Sequence, residues 1–94
     1  MAVIRAEAPK SVEITLFEQE ERRRYLLNVL NYQQELPNIP VHGLKIAIRM
    51  DGRRPKGAVM LPEGTALWFR QQGDSVEIEL PILQDFSMIG VEWV

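Results

Sequence analysis

Short runs of alternating apolar and polar residues, separated by glycine- and proline-bearing turns, dominate this chain. The clearest run is Leu44 to Met50. Leu44, Ile46, Ile48 and Met50 fall on one side, and Lys45 and Arg49 on the other. A period of two predicts a strand with one buried face. Val76, Ile78 and Leu80 alternate with Glu77 and Glu79 in the same way, and Pro81 is expected to stop that strand. Val12, Ile14 and Leu16 alternate with Glu13 and Thr15. Further strands are predicted over Lys56–Leu61, Thr65–Gln71 and Phe86–Trp93. In the second of these, Leu67 and Phe69 oppose Trp68 and Arg70. Asp51-Gly52, Pro62-Glu63-Gly64 and Gln72-Gly73-Asp74 supply the turns. Turn signals spaced by roughly 8–12 residues, with no helix between them, predict an antiparallel sandwich or barrel. Residues 1–10 are predicted as a lead-in with a short edge strand at Val3-Ile4.

The stretch from Glu18 to Leu36 is open to two readings. Tyr25, Val29, Tyr32 and Leu36 fall near one helical face, and the Glu, Arg, Leu and Gln around them are good helix formers. A charged turn followed by a strand over about Arg24–Tyr32 fits as well, because an unbroken apolar run suits a strand covered on both sides. Local propensity alone leans to the helix. Beyond it, two prolines and a glycine predict a loop over Leu36–Gly43.

With 94 residues there is room for one domain, 1–94. A 46% hydrophobic and 26% charged composition argues against disorder over the whole length. Eleven basic and 13 acidic residues leave a net charge of −2, which gives no electrostatic case for a nucleic-acid or membrane partner. The absence of cysteine excludes disulfides, thiolate metal sites and cysteine nucleophiles. The single histidine, His42, excludes a His-rich metal site within one chain. Neither a metal nor a cofactor is expected. No apolar run approaches the roughly 20 residues that cross a bilayer, and no signal peptide is visible, so the compartment stays open.

Together these pieces resemble a known domain. Tyr25-Leu26-Leu27-Asn28-Val29-Leu30-Asn31-Tyr32 is similar to a strand with an Asn-bearing apolar run before a proline loop. Ile39-Pro40-Val41-His42-Gly43-Leu44-Lys45-Ile46 is similar to the strand that follows it. Ala58-Val59-Met60-Leu61-Pro62-Glu63-Gly64 resembles the family's hairpin, and Val76–Pro81 with Phe86–Glu92 resembles its closing pair. The order is that of the small C-terminal β-sandwich of multidomain glycoside hydrolases of the beta-galactosidase-like and alpha-fucosidase-like TIM-barrel type. The resemblance spans roughly 12–94. It implies an all-β, two-sheet antiparallel sandwich of about seven or eight strands, and it turns the Glu18–Tyr32 question toward a charged hairpin and a strand. In that family the catalytic carboxylates sit on the barrel, so no catalytic residue carries over to this chain.

Glycoside hydrolysis needs two carboxylates across a sugar ring. Glu13, Glu63, Glu77 and Glu79 fall on outer strand faces or in turns and read as surface charge. His42 reads as a rim residue bonding backbone. Lys45, Arg49, Arg53, Arg54 and Lys56 would gather on one side if the strands hairpin at Asp51-Gly52. That cluster reads as a solvated edge offset by the chain's own acids, and it lacks the interleaved aromatics of a nucleic-acid site. Among the flat rings that could stack on a sugar are Trp68, Trp93, Tyr25 and Tyr32. Trp93 alternates with Ile89 and Val91 and reads as core, whereas Trp68, beside Arg70, is the candidate carbohydrate platform. Asn28 and Asn31 would either bond nearby backbone or meet an adjoining domain.

The strand Tyr25–Tyr32 is apolar at both parities, and a two-layer sandwich covers only one side of a strand. One set, either Leu26, Leu30 and Tyr32 or Tyr25, Leu27 and Val29, should therefore form an interface, and Tyr25, Leu27 and Val29 are the expected set. The preferred function is a non-catalytic accessory module packing on the catalytic domain of a parent glycosidase, or on a second copy of the chain. The alternative is a module that binds carbohydrate through exposed aromatics. A small free-standing enzyme or nucleic-acid binder ranks last.

Overall fold

The computed structural model describes residues 4–7, 12–31 and 40–94. Within them the alternating runs become nine strands: β1 (Ile4–Glu7), β2 (Val12–Gln19), β3 (Arg24–Asn31), β4 (Val41–Arg49), β5 (Pro55–Leu61), β6 (Thr65–Leu67), β7 (Phe69–Gln72), β8 (Ser75–Leu83) and β9 (Phe86–Trp93). They form two antiparallel sheets, a four-stranded one in the order β1-β4-β8-β7 and a five-stranded one in the order β2-β3-β9-β5-β6. The fold is an all-β sandwich. The expected loop over Leu36–Gly43 lies outside the described residues as far as 39, and from Val41 it gives way to β4; the ring of Tyr32 and Val3 of the expected edge strand also lie outside the described residues.

Glu18–Asn31 is a hairpin. A single 3-10 turn, Glu20–Arg22, ends at Arg23 in the left-handed conformation, and β3 returns along β2. Helical propensity loses here because β3 is central. It pairs with β2 on one side and β9 on the other, so its whole backbone is hydrogen-bonded between neighbours. The expected strand over Thr65–Gln71 is divided at Trp68. Its first half pairs with β5 in one sheet, and its second half pairs with β8 in the other. That division accounts for the ninth strand.

Two expectations fail locally. Pro81 does not stop β8, which runs through it to Leu83. The proline falls opposite Gly43, between the paired positions His42–Ile82 and Leu44–Leu80, and Gly43 takes a left-handed φ of 63° there. A missing N–H is tolerated where the ladder is already bent. Asp51-Gly52 is a tight turn with both φ values positive, but it does not close a hairpin. It carries the chain from β4 in one sheet to β5 in the other.

The core is the set of inward faces. Tyr25, Leu27 and Val29 of β3 and Ile89, Val91 and Trp93 of β9 meet Leu44, Ile46 and Ile48 of β4 and Val76, Ile78 and Leu80 of β8. The interface assigned to Tyr25, Leu27 and Val29 is therefore corrected. These residues are at most 1% exposed and belong to the core of this chain. The outward parity of β3 is Leu26, Asn28 and Leu30.

One end of the sandwich is held by Arg53. Its guanidinium lies 4.3 Å from the Trp93 ring centroid and 5.4 Å from that of Tyr25, and the two rings sit 4.8 Å apart. Arg53 donates hydrogen bonds to the Tyr25 hydroxyl and the Glu18 carboxylate, and reaches Glu20 at 3.4 Å. The Tyr25 hydroxyl donates to the Met50 carbonyl at 3.3 Å. This clasp ties the β2–β3 hairpin and the C-terminal end of β9 to the turn between the sheets. Burial raises the Tyr25 phenol above its ordinary value, and the hydrogen bond and charge of Arg53 oppose that rise. Burial lowers the Arg53 guanidinium, and its bonds to Tyr25 and Glu18 more than offset this.

Two predictions follow from this packing. In urea unfolding, Leu27→Ala should cost about 2–5 kcal/mol and leave a cavity, whereas outward Leu30→Ala should cost less than about 1 kcal/mol; equal costs would contradict the assigned parity. Because the folded phenol is raised, the unfolded chain loses its proton first. The contribution of Tyr25 to stability should thus be constant below pH about 10 and fall above it, by up to about 1.4 kcal/mol per pH unit, and Tyr25→Phe should lessen the alkaline fall in urea titrations.

Candidate functional site

The two outer faces of the sandwich differ in chemistry. On the four-stranded sheet, Lys45 stands opposite Glu79, Ala47 opposite Glu77, and Arg70 opposite Glu77. Arg70 approaches Glu77 at 3.7 Å. Arg49 lies 3.7 Å from Asp51 and 3.6 Å from Asp74. This face is a charged lattice in water, where each pair contributes little.

The outer face of the five-stranded sheet is apolar. Strand register builds it in rows. Phe17, Leu26, Gly90 and Val59 form one row, and Thr15, Asn28, Met88 and Leu61 the next. Glu13, Leu30 and Phe86 form a third. Phe17, Leu30 and Phe86 are 49%, 38% and 53% exposed. Gly90 flattens the middle. A Cβ there would come within 3.2 Å of Leu61 Cδ1 and 3.6 Å of Val59 Cγ2, so its bare backbone lets both side chains lean across β9. Beyond the rows lie Gln19, Arg24 and Glu92, with Arg24 Nε donating to Gln19 Oε1 at 2.6 Å.

The two asparagines of β3 separate here. Asn31 points inward and its Nδ2 donates to the Gln84 carbonyl at 2.8 Å, closing the rim. Asn28 points outward, in the middle of the apolar rows. Its Oδ1 is buried and accepts no hydrogen bond among the described residues.

The other sequence candidates disperse. Trp68 is 51% exposed at the crossing between the sheets, and the Arg70 guanidinium lies 5.9 Å from its ring centroid. Trp93 is core. His42 is exposed at the start of β4. The expected cation cluster is broken up because β4 and β5 belong to different sheets: Arg49 engages the acids of two turns, and Arg53 enters the clasp. Glu13 is exposed on one outer face, Glu77 and Glu79 lie on the other, and Glu63 sits in the β5–β6 turn. No group of three or more acidic or histidine side chains among the described residues could hold a metal ion. Sequence reasoning weighed Leu26 and Leu30 as the alternative interface set of β3 and missed their continuation through Phe17, Val59, Leu61, Phe86 and Met88 as one surface. The signal that could have found them is the outward parity of β3 read against the outward parity of β9.

No protein-family profile and no curated protein matches the chain. Among solved structures, the chain is similar to part of alpha-L-fucosidase isoenzyme 2 from Paenibacillus thiaminolyticus, with a TM-score of 0.84 and 21% sequence identity over 97% of this chain. The chain spans 15% of that enzyme's length. At this identity the similarity establishes a shared fold, the same β-sandwich found as a small portion of a glycosidase.

Proposed function

We propose that this chain is a non-catalytic C-terminal accessory module of a glycoside hydrolase that packs on a catalytic neighbour. One observation carries the reading: nearly the whole chain shares its fold with a minor part of a much longer fucosidase. The distribution of chemistry over the surface supports it. The acids singled out for glycoside chemistry are divided between two outer faces and a turn, whereas hydrolysis needs two carboxylates facing one bond. One face of the sandwich is apolar, as a packing surface should be. A second reading rests on Trp68. A half-exposed indole beside Arg70 could stack on a pyranose ring while the guanidinium meets its hydroxyls.

Native protein from the source organism, probed with an antibody to this chain and identified by mass spectrometry, tests the first reading. The expected result is a polypeptide or stable complex that includes a glycosidase catalytic domain; a free, uncomplexed chain contradicts it. The isolated chain should not turn over chromogenic galactosides or fucosides, and turnover abolished by changing a single acidic residue here would contradict the non-catalytic role. Glycan binding lost in Trp68→Ala would favour the second reading.

A further inference from the structure

We propose that the outer face of the five-stranded sheet is the surface by which the module docks on its catalytic neighbour. The inference rests on the accessory-module reading above. The partner is a larger folded domain presenting an apolar surface.

Three observations point to this occupant. The first is size. Phe17, Leu26, Leu30, Val59, Leu61, Phe86 and Met88 are partly exposed and contiguous in register. Phe17, Leu30 and Phe86 are 49%, 38% and 53% exposed, and a contiguous outward patch of large apolar side chains marks an interaction surface. A standard interface buries about 800 Å² per partner, of which a little over half is apolar. The patch is placed to serve as the apolar centre of such an interface. The polar remainder is present as a rim: Glu13 and Thr15 along β2, and the Gln19, Arg24, Glu92 row beyond Phe17.

The second observation is setting. The same sandwich occurs as 15% of a much longer solved chain, so a larger neighbour on the same polypeptide is the surface at hand to cover an outward apolar face.

The third is contrast. The outer face of the four-stranded sheet is covered by Lys45, Arg49, Arg70, Glu77 and Glu79, as a water-facing sheet should be. The two sheets are built in one chain under the same constraints, and only one carries Leu, Val, Met and Phe outward in register.

Three variants test the proposal, each measured as the isolated chain and in association with the glycosidase domain identified from the native complex. Leu26→Lys places a charge in the patch without touching the core. It should leave the β-type circular dichroism and the thermal midpoint near native and weaken association at least tenfold. Phe86→Lys, in the far row of the same face, should likewise leave the fold intact and weaken association about tenfold. Lys45→Glu, on the opposite face, should leave association within twofold of native. A native chain that does not bind the domain overturns the accessory reading and the docking partner with it. Native binding that persists in Leu26→Lys overturns the docking face alone. A native chain that pairs with its own copy in ultracentrifugation, and loses that pairing in Leu26→Lys without any competition from the domain, assigns the face to a homodimer and overturns the proposed partner.

Discussion

Each strand of this molecule has two sides, and the sandwich has apolar cover for only one of them. The side that is covered makes the core: Leu27, Val29, Ile46, Ile48, Val76, Ile78 and Ile89 are all fully buried between the sheets. The side that is not covered must meet water or another surface. β4 and β8 meet water with lysine, arginine and glutamate. β3, β9 and β5 present leucine, methionine, valine and phenylalanine, for which water is a poor partner. The asymmetry of the outer faces is the feature from which the docking surface is inferred.

The alternating strands were legible from periodicity alone, because one polar side and one apolar side leave a single orientation for β4 and β8. β3 was different. Its residues are apolar at both parities, so the pattern gives no inside and no outside. The inward choice is made by Tyr25, whose hydroxyl needs a donor and an acceptor when buried. These come from Arg53 and the Met50 carbonyl, both far along the chain. No local window contains that information. The helix reading of the same segment fails for a related reason, since its pairing partners in β9 lie some sixty residues downstream by register.

Sheet assignment was the other hidden variable. Asp51-Gly52 was recognisable as a turn, but the residues cannot say whether a turn returns the chain along its own sheet or passes it to the facing one. It passes it across, so Arg49 and Arg53 part company. Arg49 sits among Asp51 and Asp74, while Arg53 slides under the ring of Trp93 and bonds Glu18. A cation cluster expected from spacing becomes a surface ion pair and a structural clasp. Trp68 behaves the other way. Its exposure was readable from its phase against Leu67 and Phe69, although the change of sheet at that residue was not. The resemblance to the glycosidase sandwich, carried by the proline and asparagine motifs, resolved the segment that periodicity could not.

The most direct test of the docking surface is hydroxyl-radical footprinting of the isolated chain against the native assembly, read by mass spectrometry at single side chains. Phe17, Phe86 and Met88 lie on the apolar outer face, and Trp68 and Ile82 are exposed elsewhere. The account predicts that Phe17, Phe86 and Met88 lose their reactivity in the assembly while Trp68 and Ile82 keep theirs. Undiminished reactivity at Phe17, Phe86 and Met88, with protection at Trp68 or Ile82, would contradict it.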